Sequence, residues 1–84
     1  MSENASIRIL AFARYAELLG ADRFELSLPN PPTVQGALND VRQLPGGEHL
    51  PTRVLMALNA RQAQLSDPVS AGDELALLPP MAGG

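Results

Sequence analysis

The chain has 84 residues, which is enough for one small domain and too few for two. Hydrophobic residues make up 45% of the chain and charged residues 18%, so it can bury a core. It contains no cysteine and a single histidine, which excludes disulfides, thiolate metal sites and metal sites built from several histidines. The composition therefore predicts a small domain without a resident metal.

The charge balance argues against some classes of binding partner, nucleic acids in particular. Nine acidic residues outnumber six basic ones, for a net charge of −3, and every basic residue is arginine. Nucleic-acid binding depends on clustered basic residues, which this chain lacks. No apolar run approaches the roughly 20 residues of a membrane span, and residues 1–6 lack the layout of a signal peptide. We therefore expect a cytoplasmic protein that binds neither nucleic acid nor membrane.

The first third of the chain predicts two strands with a short helix between them. Residues 7–13 form a short apolar run, which favours a central strand. Residues 14–19 are rich in helix formers and stop at Gly20, a good left-handed residue after a helix end. Residues 23–28 alternate polar and apolar side chains, the period of a strand with one buried face.

The main helix is predicted to begin after Thr33. Three prolines between residues 29 and 32 end the second strand, and the Thr33 hydroxyl stands where a helix cap accepts a backbone N–H. Gly36 is expected to weaken this helix by about 1 kcal/mol relative to alanine. Four apolar residues share one face of the helix: Val34, Ala37, Leu38 and Val41.

The second half of the chain predicts a loop and three strands. Residues 43–53 carry the glycines and prolines of a loop, and residues 54–59 and 61–65 suggest two short strands around a turn. Gly72 suits a positive φ, Asp73 is expected to bond the backbone of that turn, and residues 73–78 form the last strand. We predict one α+β domain, with a mixed sheet of about five strands packed on one main helix, globular over residues 6–78. The first and last strands are expected to lie side by side in parallel.

Alternation along the first and last strands predicts an apolar patch on the sheet face away from the helix. If Arg8 and Glu74 point to solvent, the residues four positions later, Phe12 and Leu78, point the same way. Both lie at the strand ends, beside the start of the carboxyl-terminal tail. Exposed apolar patches of this kind mark partner surfaces. The alternatives are that loops cover both faces of the sheet, or that the opposite set of side chains faces solvent.

The last six residues predict an extended tail. Prolines favour an extended exit from the domain, and glycines have no side chain to pack. Fully extended, six residues reach roughly 20 Å. We expect the Gly84 carboxyl group to be the reactive group, activated by another protein, because this chain has no phosphate-binding glycine loop. The tail that would thread into a partner consists of Pro79, Pro80, Met81, Ala82 and Gly83 before Gly84.

Several short motifs resemble one family over residues 7–84. The strongest is Leu78-Pro79-Pro80-Met81-Ala82-Gly83-Gly84, preceded by Phe12-Ala13-Arg14, Glu17-Leu18-Leu19-Gly20, Asn59 and Gly72-Asp73-Glu74. Together they resemble the sulfur-carrying small subunits of molybdopterin synthase, which belong to the ubiquitin-like β-grasp sulfur carriers. Met81, Ala82 and Ala60 depart from the residues common in that family at those positions.

The resemblance implies a function for the tail. An ATP-dependent, ubiquitin-activating-like adenylyltransferase would adenylate Gly84, and a sulfur donor system would convert it to a thiocarboxylate. The tail would then enter the catalytic large subunit of a heterotetramer and give sulfur to cyclic pyranopterin monophosphate, two carriers serving each product. The carrier itself would hold no cofactor stably, since ATP is used by the activating enzyme, and it would have no catalytic activity alone.

Three other functions remain open from the sequence. The first is a sulfur carrier for the thiazole of thiamine or another sulfurated product. The second is a ubiquitin-like modifier joined to lysines of other proteins. The third is a binding module whose tail has no function.

Overall fold

The computed structural model describes residues 5–80, which form a mixed five-stranded sheet. The strand order is β2-β1-β5-β3-β4, with β1 and β5 parallel and the other neighbours antiparallel. No helix in this part of the chain has the length and apolar character to cross a membrane. The elements are β1 Ser6–Ala11, α1 Arg14–Leu19, β2 Arg23–Ser27, α2 Val34–Arg42, a 3₁₀ turn Gly47–His49, β3 Leu55–Leu58, β4 Arg61–Gln62 and β5 Glu74–Leu78.

The predicted α+β architecture and the parallel pairing of the first and last strands are confirmed. Ile9 lies opposite Leu75, and Ala11 lies opposite Leu77. Alternate residues of both strands are buried against α2, as the polar residues Arg8 and Glu74 predicted. Burying each large aliphatic side chain stabilises the fold by about 1.5–3 kcal/mol. The largest fully buried side chains among the described residues are Ile7, Ile9, Val34, Val41, Leu75 and Leu77.

The local signals at the element ends are also confirmed. The Thr33 hydroxyl accepts a hydrogen bond from the Gly36 N–H at 3.0 Å and so caps α2. Gly20 ends α1 with a φ of 79°, and Gly72 precedes β5 with a φ of 87°. Asp73 bonds the turn backbone as expected, because its Oδ2 accepts from the Ser70 N–H at 2.8 Å.

Two predicted strands are too long. β1 ends at Ala11 rather than at residue 13, because Ala13 has a φ of 52° and turns the chain into α1. The Tyr15 N–H then donates to the Phe12 carbonyl at 3.0 Å. β4 ends at Gln62 rather than at residue 65, since the Gln64 N–H donates to Asp67 Oδ2 at 2.9 Å and starts a turn.

Gly36 has a structural role that corrects its interpretation as a weak helix residue. It is buried, and a Cβ at this position would collide with the Pro31 carbonyl oxygen and lie 3.3 Å from Pro29 Cβ. The proline-rich segment before α2 therefore packs directly on the first turn of the helix. Alanine would gain helix propensity here and lose this close approach.

We predict that Gly36→Ala lowers the free energy of unfolding by about 1–3 kcal/mol, because overpacking against the backbone outweighs helix propensity. Urea unfolding followed by circular dichroism measures the change. The control is Gln35→Ala at the neighbouring exposed position, which should stay within about 0.5 kcal/mol of the wild type. A Gly36→Ala variant as stable as the wild type would show that the proline segment moves away freely.

Candidate functional site

The sheet face opposite α2, here called the open face, divides into a polar and an apolar half. In the polar half, Arg8 lies between Glu25 of β2 and Glu74 of β5. Arg8 Nε is 3.7 Å from Glu74 Oε2, and both side chains are more than one-third exposed. An ion pair this exposed contributes little to stability. The polar half therefore shows which face of the sheet is exposed to solvent, and it contributes little to the stability of the fold.

The apolar half forms a continuous surface across three strands. Leu10 and Ala57 flank Ala76, and Leu55 lies opposite Leu78. Leu55 is 49% exposed, while Leu78 is half-buried. An apolar surface on one side of a small domain is a feature of protein-binding faces. We call these residues the open-face patch: Leu10, Leu55, Ala57, Ala76 and Leu78.

Phe12 borders this patch at the end of β1. It is 45% exposed and comes one residue after Ala11, the last residue of β1 paired with β5. That position is level with Leu78 in the parallel register. Phe12 and Leu78, the two residues predicted from the sequence, thus lie at the same end of the sheet. Their role in binding a partner stays a prediction.

Leu55 and Ala57, both on β3, are members of the patch that the sequence did not indicate. All four residues of β3 are apolar, so no polar side chain marks which of them face solvent. The pairing of Leu55 with Leu78 supplies the missing information, because paired residues of neighbouring strands share a face. The face on which Leu55 lies could have been predicted from the sequence only by assuming the strand order.

The root of the tail lies between two cavities at the same end of the sheet. Pro79 is half-buried and Pro80 is exposed. On one side, both prolines line a cavity of about 310 Å³ together with Tyr15 and Pro51. On the other side, Pro80 lines a cavity of about 610 Å³ that extends to Leu55. The remaining predicted tail residues lie outside the described part of the chain: Met81, Ala82, Gly83 and Gly84.

Arg42 holds the loop that forms a wall of both cavities. Its guanidinium donates to the carbonyls of Leu50, Pro51 and Thr52 at 3.2, 2.8 and 3.0 Å. Pro51 lines the first cavity, and Thr52 lines the second. Three hydrogen bonds from one rigid guanidinium fix the path of this loop beside the tail root.

The Asn59 side chain forms hydrogen bonds that give several residues of the family motifs a structural role. Its Oδ1 accepts from the Glu74 N–H at 3.0 Å, and its Nδ2 donates to Asp73 Oδ1 at 3.1 Å. Asn59 and Ala60 have φ values of 52° and 73°, the left-handed pair of a tight hairpin turn. The Asn59 side chain therefore ties the β3–β4 hairpin to the start of β5. These motif residues shape the fold and do not form a reactive centre.

Comparison with known proteins identifies the family. A model described as the ThiS family matches residues 9–84, which is most of the chain. The chain belongs to the ThiS family. A relative of this ThiS-family chain is an Arabidopsis thaliana protein named molybdopterin synthase sulfur carrier subunit. The two are 36% identical over 84 residues, 99% of this chain and 88% of the relative. The resemblance predicted from the sequence motifs is thereby confirmed.

Solved structures place this ThiS-family domain in the ubiquitin-like β-grasp fold. The small archaeal modifier protein 1 of Haloferax volcanii is 27% identical, with a TM-score of 0.79 over 92% of this chain and 99% of that one. A complex of subunits 1 and 2 of the molybdopterin-converting factor from Helicobacter pylori contains a chain 20% identical, with a TM-score of 0.69 over 94% and 99%. At this identity the second likeness establishes the fold alone. The predicted β-grasp fold is confirmed.

We predict that Asn59→Ala lowers the free energy of unfolding by about 1–3 kcal/mol. The variant loses two side-chain hydrogen bonds and places alanine in a left-handed conformation. Thermal and urea unfolding measure the loss. Asn39→Ala on the exposed face of α2 serves as the matched control and should change stability by less than about 0.5 kcal/mol. Equal stability of both variants would contradict the tie between hairpin and β5.

Proposed function

We propose that this protein is the sulfur carrier subunit of a molybdopterin synthase. The observation that carries the proposal is the 36% identity with a molybdopterin synthase sulfur carrier subunit along nearly the whole chain. An exposed apolar face beside the two prolines that begin the tail supports the proposal, because this arrangement suits a carrier that binds through its body and reacts through its end. Action in the cytoplasm is part of this proposal.

The reactive group in this proposal is the carboxylate of Gly84. A carboxylate is a resonance-stabilised anion and accepts no nucleophile without activation. In the activating enzyme it attacks the α-phosphorus of ATP, which releases pyrophosphate and leaves an acyl-adenylate. A persulfide-type sulfur donor then displaces AMP, and cleavage of the sulfur–sulfur bond by a thiol leaves the thiocarboxylate. The Gly84 thiocarboxylate delivers its sulfur to cyclic pyranopterin monophosphate in the catalytic subunit.

The open-face patch and Phe12 are the proposed docking surface for the catalytic large subunit. The patch is contiguous with the root of the tail, so a partner that covers it receives the tail next to its own surface. Pro79 and Pro80 restrict the direction in which the tail leaves. The complex of subunits 1 and 2 of the molybdopterin-converting factor supports a large-subunit partner. We propose a heterotetramer of two carriers and two catalytic subunits.

A second function is favoured by a specific likeness. The similarity to a small archaeal modifier protein, at 27% identity, favours ligation of Gly84 to amines of other proteins. Both functions use the same activated carboxyl group and differ in the nucleophile that receives it. A sulfur carrier for a thiazole product is the remaining alternative. The three functions can therefore be distinguished by identifying the molecule that receives the acyl group or the sulfur.

We predict that the chain gains the mass of one oxygen-to-sulfur exchange when incubated with its activating enzyme, ATP and a sulfur donor. Intact-mass spectrometry measures the exchange, and fragmentation should assign it to Gly84. The control is a chain lacking Gly84, which should keep the circular dichroism spectrum of the wild type and gain no sulfur. An unmodified wild-type chain in the presence of a competent enzyme would refute every carrier function.

We predict that Phe12→Asp and Leu55→Asp each weaken binding to the catalytic subunit by about tenfold or more, because a charge would be buried without a partner. Isothermal titration calorimetry measures the affinity. Ser27→Asp adds the same charge to the polar end of the open face and is the matched control, expected to bind normally. Undiminished binding of both patch variants would place the docking surface elsewhere.

A further inference from the structure

Two arginine residues line the cavities on either side of the root of the tail. Arg14 lines the cavity that contains Pro79 and Pro80, and Arg53 lines the cavity on the opposite side of Pro80. Both side chains belong to exposed residues. Lysine, which is among the commonest residues of globular proteins, would place an amino group at either position. In this chain all six basic residues are arginine, and neither lysine nor cysteine occurs in its 84 residues.

Both positions lie within the reach of the tail end. Gly84 follows Pro80 by four positions, so the Gly84 carbonyl carbon stays within about 14 Å of Pro80. Side chains at positions 14 and 53 border the cavities that Pro80 itself lines. A nucleophile held this close to an acyl group reacts as if it were present at a high effective concentration.

Lysine and arginine side chains react differently with an activated carboxyl group. A neutral lysine ε-amine attacks the acyl carbon: a C–N bond forms, the bond to the AMP or thiol leaving group breaks, and the ammonium proton passes to solvent. The resulting amide is stable and consumes the carrier. Lysine has an ordinary pKa near 10.4, so a fraction is neutral at physiological pH. The guanidinium of arginine remains protonated and has no free lone pair to attack.

We infer that Arg14 and Arg53 keep the tail root positively charged without supplying a nucleophile that would capture the activated Gly84 carbonyl. The inference rests on the proposed activation of Gly84. His49 also lines the first cavity, and its Nε2 lies 3.5 Å from Glu48 Oε2. An acyl-imidazole passes its acyl group on to water or to another nucleophile, so His49 leaves no permanent cross-link. The activated end is thus reserved for the sulfur donor or for a nucleophile of another protein.

The test uses a Gly84 thioester made by thiolysis of an intein fusion, with no activating enzyme present. Arg14→Lys and Arg53→Lys are compared with the wild type and with Arg8→Lys, whose side chain lies in the polar half of the open face beside Glu74. Intact-mass spectrometry at mildly alkaline pH distinguishes hydrolysis from an internal amide, which is lighter by one water. We expect Arg14→Lys and Arg53→Lys to form the internal amide at least about tenfold faster than Arg8→Lys. The wild type should only hydrolyse.

A second arm tests whether the folded structure sets this difference. In denaturing urea the rates of amide formation in the Arg14→Lys and Arg8→Lys variants should become similar. Equal rates for all three variants in the folded state would overturn the inference, as would an internal amide formed equally fast by the wild type through its amino terminus. Because the thioester is made chemically, these outcomes are independent of enzymatic thiocarboxylation. Failure of the enzyme to load sulfur would refute the proposed function and leave this measurement unchanged.

Discussion

The parallel pairing of β1 with β5 is the constraint on which the rest of this structure depends. Arg8 lies opposite Glu74 and Ala11 opposite Leu77, so the two strands bury alternate residues against α2 in matching phase. The same register brings the carboxyl end of β5 level with the start of α1. Because the tail continues directly from β5, the pairing also determines where its root emerges. One strand pair therefore sets the core, the open-face patch and the position of the tail.

Much of this arrangement could be predicted because a few residues are informative by themselves. Arg8 and Glu74 are polar residues in apolar strands, and each reveals which neighbours face solvent. Thr33 and Gly20 mark helix ends through local hydrogen bonding and backbone conformation, which are properties of short segments. The motif around Pro79 and Pro80 indicated the family, since such a motif has little other structural purpose.

The errors and omissions have a different physical origin, which is contact between distant parts of the chain. Gly36 is a poor helix residue by propensity, whereas it is required by the Pro31 carbonyl that lies over the helix. Leu55 could not be assigned to a face, because its strand contains no polar residue and only its partner Leu78 decides the phase. Ala13 ends β1 by adopting a positive φ that local propensity disfavours in alanine.

In the proposed function, one enzyme activates Gly84 and another takes its sulfur, so the carrier must not react with its own activated end. The cavities at the tail root are lined by prolines, Tyr15, His49 and two arginines, and of these only His49 carries a basic nitrogen able to attack an acyl group at neutral pH. Arginine contributes the charge of lysine and, unlike lysine, no nucleophile at neutral pH. In the proposed function, the choice between sulfur transfer and protein ligation then depends on the partner that holds the activated end, because Arg14 and Arg53 offer the acyl group no nucleophile.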